Sequence, residues 1–166
     1  IVRPDAIRHL VRAFRDPNVG AVAGKVLVGN RGRLLTKLQA LEYITAQNID
    51  RRAAEMFNGM LVVPGAIGAW RAAAVRSAGL YTHDTVAEDA DLTVSVLRAG
   101  YRIVFEEKAI SVTEAPETVR AFMKQRLRWT FGMMQTGWKH AHAAREGRAV
   151  GLISIPDLWL FGVVLP

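Results

Sequence analysis

The chain has 166 residues, enough for one domain with its own core, and at 51% hydrophobic it does not read as a disordered chain. Its formal charge of +7 suits an anionic partner such as a nucleic acid, an acidic membrane surface or a phosphorylated small molecule. There is no cysteine, which excludes disulfides and thiolate metal sites, and the four histidines make no metal-ligand pattern, since His140 and His142 would point to different sides of a helix.

Pro4 suits the first turn of a helix in which Ile7, Leu10, Val11 and Phe14 recur at helical spacing, and Asp16-Pro17 ends it. VGAVAGKVLV, residues 19–28, reads as a buried strand, and Gly29-Asn30-Arg31-Gly32 as a turn. From Leu34 to about Phe57 the spacing of Leu34, Leu38, Leu41, Ile44 and Thr45 predicts a long helix. Met60 to Val63 reads as a short apolar strand that Pro64-Gly65 breaks, and Ile67 to Trp70 resumes extended structure. A short helix over Arg71 to Ser77 stops at Gly79, and LYTHDTVAED follows as a polar loop. Asp89 to Ala99 is a helix with Leu92, Val96 and Ala99 on one stripe and Gly100 as its stop. Two strands are predicted at 101–105 and 109–112, and a long helix opens at Pro116 and runs to about Ala144. Strands alternate with helices, so an α/β sandwich is expected, with four or five short strands and a sheet that is incomplete within this chain.

From Val150 to Pro166 only Ser154 and Asp157 are clearly polar. The run is short and interrupted for a transmembrane helix, which needs ~20 apolar residues. Arg145 and Arg148 stand before it, as basic residues do on the cytoplasmic side of a span. An amphipathic core helix is one reading; an interfacial helix, or one entering the membrane, is the favoured one. The chain begins IVRPDAIRHL and stops within the apolar run, so a fragment of a longer protein is expected. Residues 1–148 would form the main body and 149–166 a truncated membrane-proximal segment.

Three stretches carry chemistry. VAEDADL places Glu88, Asp89 and Asp91 at a loop-to-helix junction. Acids there complement the helix dipole by ~0.3–1 kcal/mol each, which is a sufficient reason for them. The alternative is that one of them faces a cleft as a general base, and because successive side chains diverge, at most one of Glu88 and Asp89 can do so. KQRLRW, residues 124–129, puts Gln125, Arg128 and Trp129 on one helical stripe, with Arg126 away from it. A guanidinium suits phosphate oxygens, and an indole suits the apolar face of a sugar ring or a base. The bland alternative has Trp129 in the core with Arg128 snorkelling around it. In VVPGAIGAW, Gly65 and Gly68 would let a ligand approach the backbone closely, or simply make a turn. No Gly-Lys-Ser/Thr follows, so this is not a P-loop, and it lacks the dinucleotide GxGxxG.

The order VPGAIGAWR, AEDADL, a strand pair, then EAPETVRAFMKQRLRW resembles the family 2 glycosyltransferases, in particular the processive membrane-bound polysaccharide synthases of cellulose, hyaluronan, chitin oligomers and poly-N-acetylglucosamine. The family's marks are an upstream DxD, a Thr-Glu-Asp-like acid motif and QxxRW; here AED ends at Asp89, and QRLRW begins 36 residues later at Gln125. GNR after a strand, LQALEY and EAPET look closest to the poly-N-acetylglucosamine type. The resemblance implies a GT-A-like, Rossmann-like sandwich of which this chain is the C-terminal, acceptor-side part. It implies inverting transfer from a nucleotide-diphosphate sugar to a growing polysaccharide, with Asp89 as general base. Glu88, Gln125, Arg128, Trp129 and Gly65 would be substrate-binding residues: Arg128 steadying the diphosphate, Trp129 lining the acceptor site and Gly65 shaping the acceptor end of the cleft. Ala87 stands where the family usually has Thr, a departure that removes one hydroxyl.

The resemblance also implies Mg²⁺ or Mn²⁺, bound by a DxD upstream of this chain. Asp89-Ala90-Asp91 has that spacing by letter but reads as a helix start, so no metal ligand is assigned here and the isolated chain is expected to be inactive. The implied setting is a bacterial inner or plasma membrane with the catalytic domain cytoplasmic. The alternatives are a non-processive transferase acting on a lipid or small acceptor, and a basic nucleic-acid-binding domain. The second is disfavoured because the cations are scattered over several elements without an aromatic platform, and no nucleic-acid partner is expected.

Overall fold

The computed structural model describes residues 1–160. The chain opens with helix α1 (Ala6–Ala13) and strand β1 (Val19–Val28). Helix α2 (Leu34–Glu42) passes through a π-helical stretch, Tyr43–Ile49, into α3 (Asp50–Met56). Strand β2 (Gly68–Trp70), α4 (Ala72–Ser77), α5 (Glu88–Arg98), β3 (Arg102–Thr113) and α6 (Val119–Lys139) follow. A 3₁₀ turn at Ala141–Glu146, a π turn at Val150–Ser154 and the short α7 (Ile155–Trp159) complete the described chain.

The sheet has three strands in the order β2-β1-β3, with β1 parallel to β3 and antiparallel to β2. β1 is buried on both faces, which explains its unbroken apolar text. Val22, Val26 and Val28 join Leu10, Ala40 and Tyr43 from α1, α2 and the π stretch on one side. Ala21 and Ala23 join Val94 and Leu97 of α5, together with Val150 and Ile155, on the other. Helices therefore cover both sides of the sheet, as the α/β sandwich requires.

Three expectations change. Met60 and Val63 are buried and Leu61 and Val62 half-buried, but the segment pairs with no strand; the Val63 N–H donates to the Thr93 hydroxyl at 2.9 Å instead of to a ladder. The two strands expected at 101–105 and 109–112 are one strand, β3, whose register jumps between the pairs Gly24–Glu106 and Lys25–Ile110, so the residues between them form a bulge. Among the described residues the sheet thus has three strands, where four or five are expected. Helix α6 stops at Lys139 rather than near Ala144, and Gly147, at φ +67°, supplies the left-handed turn beyond it.

The long helix from Leu34 is present, but its leucine stripe faces outward. Leu34, Leu38, Leu41 and Ile44 are exposed, whereas Thr36, Gln39, Ala40 and Tyr43 are buried. The Gln39 amide nitrogen donates to the Pro116 carbonyl at 2.8 Å, while its Oε1 is buried without a partner among the described residues. Helix α6 likewise presents Val119, Met123, Leu127, Phe131, Met134 and Trp138 to solvent, with Trp138 78% exposed. No described helix is long and apolar enough to cross a membrane. In the apolar C-terminal run, Val150, Ile155 and Leu158 are buried, Leu152, Ile153 and Leu160 are exposed, and residues 161–166 lie outside the described part.

Candidate active site

The acid motif sits where the loop after α4 enters α5, with Glu88, Asp89 and Asp91 in the first turn. Their environments differ sharply. Glu88 is exposed. Asp89 is half-buried; its Oδ2 accepts from the Gly65 N–H at 3.2 Å and its Oδ1 from the Ala90 N–H at 2.9 Å. Asp91 is buried and turned the other way, toward the C-terminal end of α6. Two of the expected site residues, Gly65 and Asp89, are therefore in contact. Thr93 reinforces that contact: its hydroxyl donates to the Asp89 carbonyl at 2.5 Å while accepting from Val63. A Cβ on Gly65 would meet only Asp89 Oδ2, at 3.8 Å, so the space beside the carboxylate is open.

Helix α6 begins at a Thr118 cap, whose hydroxyl accepts from the Ala121 N–H at 3.3 Å. Gln125 and Trp129 are half-buried and Arg128 is exposed, and Trp129 packs against the buried cluster that holds Ala40 and Tyr43. The Gln125 Oε1 is buried without a hydrogen-bond partner among the described residues. Arg126, expected away from this group, belongs to it: it precedes Trp129 by three residues, the spacing that also separates Gln125 from Arg128. Its guanidinium stands 4.8 Å from the ring centroids of both Phe122 and Trp129 and forms a two-pronged pair with Glu42 of α2, one prong 2.6 Å long. The long side chain folds back across the ~60° that separates it from Trp129 around the helix. The cation covering the indole is thus Arg126, and Arg128 is left facing solvent.

The acid motif and α6 touch one turn beyond Arg128 and Trp129. A Cβ on Gly132 would lie 2.5 Å from the Ala87 Cβ, so Ala87 lies directly against the helix. The Gln135 Oε1 accepts from the Val86 N–H at 3.0 Å. No hydrogen bond or ion pair among the described residues joins Asp89 directly to Gln125, Arg128 or Trp129. The two motifs share a neighbourhood through the 86–87 segment.

Two neighbours of Asp89 escaped the sequence reading. Arg51, at the start of α3, has its guanidinium pushed down to about 10 by burial, against the opposing pull of Tyr43 and Asp89. Its Nη1 is buried without a hydrogen-bond partner among the described residues. Tyr81, in the polar loop, has its phenol pushed up by burial and by the charges of Glu88 and Asp89.

The residues present do not fit a divalent cation. No group of three His, Asp or Glu side chains among the described residues could hold one. Asp89 and Asp91, a DxD by letter, diverge: one faces Gly65 and the other is spent on Lys139 and His140.

Residues 1–164 match the glycosyl transferase family group 2. An N-acetylglucosaminyltransferase of Rhizobium meliloti (strain 1021) is 34% identical over 135 residues, covering 75% of this chain and 32% of the relative. A poly-beta-1,6-N-acetyl-D-glucosamine synthase of Staphylococcus aureus (strain COL) is 30% identical over 133 residues, covering 80% and 32% respectively. Among solved structures, the mannosyltransferase PcManGT from Pyrobaculum calidifontis, in complex with GDP-Man and Mn²⁺, superposes with a TM-score of 0.66 at 18% identity, over 98% of this chain and 45% of that one. The chain spans about a third of the length of these curated relatives. The fold is that of a GT-A glycosyltransferase.

Proposed function

Because the chain belongs to the glycosyl transferase family group 2, we propose that it is the acceptor-side part of an enzyme that transfers a sugar, with inversion, from a nucleotide-diphosphate donor to a growing polysaccharide. The observation that carries this is the open-sided Asp89 carboxylate, held by the Gly65 amide beside the helix that bears Gln125, Arg128 and Trp129.

In the proposed reaction an acceptor hydroxyl attacks the anomeric carbon of the donor. Its proton passes to Asp89, the new glycosidic C–O bond forms, and the bond from that carbon to the diphosphate oxygen breaks. Asp89 suits this because its carboxylate is oriented by backbone amides yet only half-buried. Arg128, exposed and unpaired among the described residues, offsets charge on the departing diphosphate. Gln125 offers its amide nitrogen to a ligand hydroxyl, and the half-buried Trp129 lines the acceptor site with the part of its indole that Arg126 leaves open. Glu88 lies at the rim, and Gly65 leaves room for the acceptor end. Mg²⁺ or Mn²⁺ belongs to the longer protein, with no ligand assigned to these residues.

The membrane is the proposed setting, bacterial and inner or plasma, with this part cytoplasmic and residues 149–166 proximal to the bilayer. Support comes from the solvent-facing apolar stripes of α2 and α6 together with the net charge of +7. Processive synthesis of the poly-N-acetylglucosamine type is the preferred product class, since the S. aureus relative is named for that polymer.

The test is to incubate the full-length protein in membranes with labelled UDP-N-acetylglucosamine and Mg²⁺, then determine the size and anomeric configuration of the product. Long β-linked chains are expected. A single-sugar lipid product would replace processive synthesis with the small-acceptor reading, and no transfer from any nucleotide sugar would refute the assignment.

A further inference from the structure

A buried charge network that the proposed chemistry does not use ties the acid helix to the far end of α6. Asp91 is 3% exposed, the one carboxylate buried to that extent among the described residues. Its Oδ2 accepts from Lys139 Nζ at 2.9 Å and from the Thr82 hydroxyl at 2.8 Å. Its Oδ1 lies 2.8 Å from Nε2 of His140, itself 3% exposed. On the other side of that ring, Nδ1 lies 3.0 Å from Nη1 of Arg98. A guanidinium can only donate, so Nδ1 accepts, and Nε2 carries the hydrogen that Asp91 receives. Lys139 also donates to Thr82 at 2.7 Å and pairs with Asp84 at 3.0 Å, and Arg98 pairs with Glu146.

The network belongs to a longer seam. Gly132, Gln135 and Lys139 succeed Gln125 and Arg128 at helical spacing on α6. Each of the three holds a different piece of the acid segment: Gly132 the Cβ of Ala87, Gln135 the N–H of Val86, and Lys139 the side chains of Thr82, Asp84 and Asp91. Asp89 stands between the pieces so held. A buried ion pair is a weak source of net stability, because desolvation offsets its attraction, whereas its directional bonds can specify one register. One register is what two motifs on separate helices need if they are to act on one substrate.

We propose that Asp91, Lys139 and His140 form a clamp that sets where Asp89 stands relative to Gln125, Arg128 and Trp129. They are positioning residues for the transfer reaction. The inference rests on the proposed role of Asp89 as base.

The test uses the full-length enzyme with Asp91→Asn, Lys139→Met, Lys139→Arg and, in parallel, Asp89→Asn. A displacement of ~1 Å can cost up to about a hundredfold in rate, so kcat per folded molecule should fall roughly ten- to a hundredfold in Asp91→Asn and Lys139→Met. Donor KM should stay within about twofold, because the donor-binding groups are untouched. Lys139→Arg, which keeps the charge, should recover most of kcat. Should Asp91→Asn fail to fold, Lys139→Met carries the test, its side chain being 28% exposed. Wild-type kcat per folded Lys139→Met molecule, with Asp89→Asn inactive, overturns the clamp alone. Full turnover by Asp89→Asn overturns the base assignment on which the clamp rests.

Discussion

Replacing Gly132 with Ala sets two effects of known sign against each other. A methyl at this position would lie 2.5 Å from the Ala87 Cβ, 3.0 Å from the Ala87 nitrogen and 3.2 Å from Val86 Cγ2. Comfortable carbon–carbon separation is about 3.5–4.0 Å, so the 86–87 segment must recede by on the order of 1 Å. Overpacking of this kind costs about 1–3 kcal/mol, while exchanging Gly for Ala inside a helix returns about 1 kcal/mol. The expected net loss of stability is therefore about 0–2 kcal/mol, small enough for the protein to stay folded. The functional loss should be larger, because Asp89 follows Ala87 by two residues and a shift of ~1 Å can cost about a hundredfold in rate. Denaturant unfolding and initial rates of transfer, measured on the same full-length preparation, separate the two. A Gly132→Ala enzyme that is stabilised by about 1 kcal/mol and transfers at the wild-type rate would refute the contact between α6 and the acid motif.

Removing the Arg126 guanidinium as Arg126→Met strands Glu42 beside α6 and uncovers Trp129, and should destabilise by about 1–3 kcal/mol in urea unfolding. Burial alone would raise the Asp91 carboxyl, but hydrogen bonds from His140, Lys139 and Thr82 outweigh it and hold the group well below the usual carboxylate range. The depressed folded value makes its stabilisation complete above the unfolded value of about 3.9 and lost as pH falls through the folded one; melting curves of Asp91→Asn should accordingly lose part of the acid dependence below about pH 4. Trp129→Ala should reduce chain extension more than donor hydrolysis, as read from product length against free sugar; equal losses would make Trp129 a packing residue only. On the α6 stripe, Phe131→Glu should weaken co-sedimentation with anionic phosphatidylglycerol vesicles at least about tenfold, since the phenyl group contributes roughly 1.5–3 kcal/mol when buried in an apolar phase.

Local periodicity made most elements legible. The 3.6 spacing marked the helices around Leu10, Leu92 and Trp129, and the unbroken apolar text of 19–28 marked the central strand. Periodicity does not say which way a face turns. The leucines of α2 face solvent because Thr36, Gln39 and Tyr43 occupy the inner side, where a hydrogen bond from the Gln39 amide nitrogen to Pro116 offsets part of the cost of burying a polar residue. Met60 to Val63 is apolar because its ends are buried and its middle half-buried, and burial without pairing reads like a strand in sequence. Of the site, the acid motif and QxxRW were visible as residue patterns, and Gly65 as a break after an apolar run. Arg126 belongs beside Trp129 by the same i, i+3 spacing that joins Gln125 to Arg128, so setting it apart from the stripe overlooked a neighbour that helical phase itself supplies. Arg51 lies in a run of ordinary charged text, 38 residues before Asp89, and only the tertiary fold brings it near that carboxylate. Asp91 stands out in the acid motif, but its pairing with Lys139 and His140 has no local signature, since 48 and 49 residues separate the partners.

Asp89 as the base of an inverting sugar transfer is tested most directly by Asp89→Asn in the full-length protein. The amide keeps the side chain's size and one acceptor for the Gly65 N–H, so donor binding, followed by nucleotide-sugar titration, should stay within about twofold of wild type while polymer synthesis falls by at least about a hundredfold. Polymer made at a near-normal rate by Asp89→Asn would contradict the account.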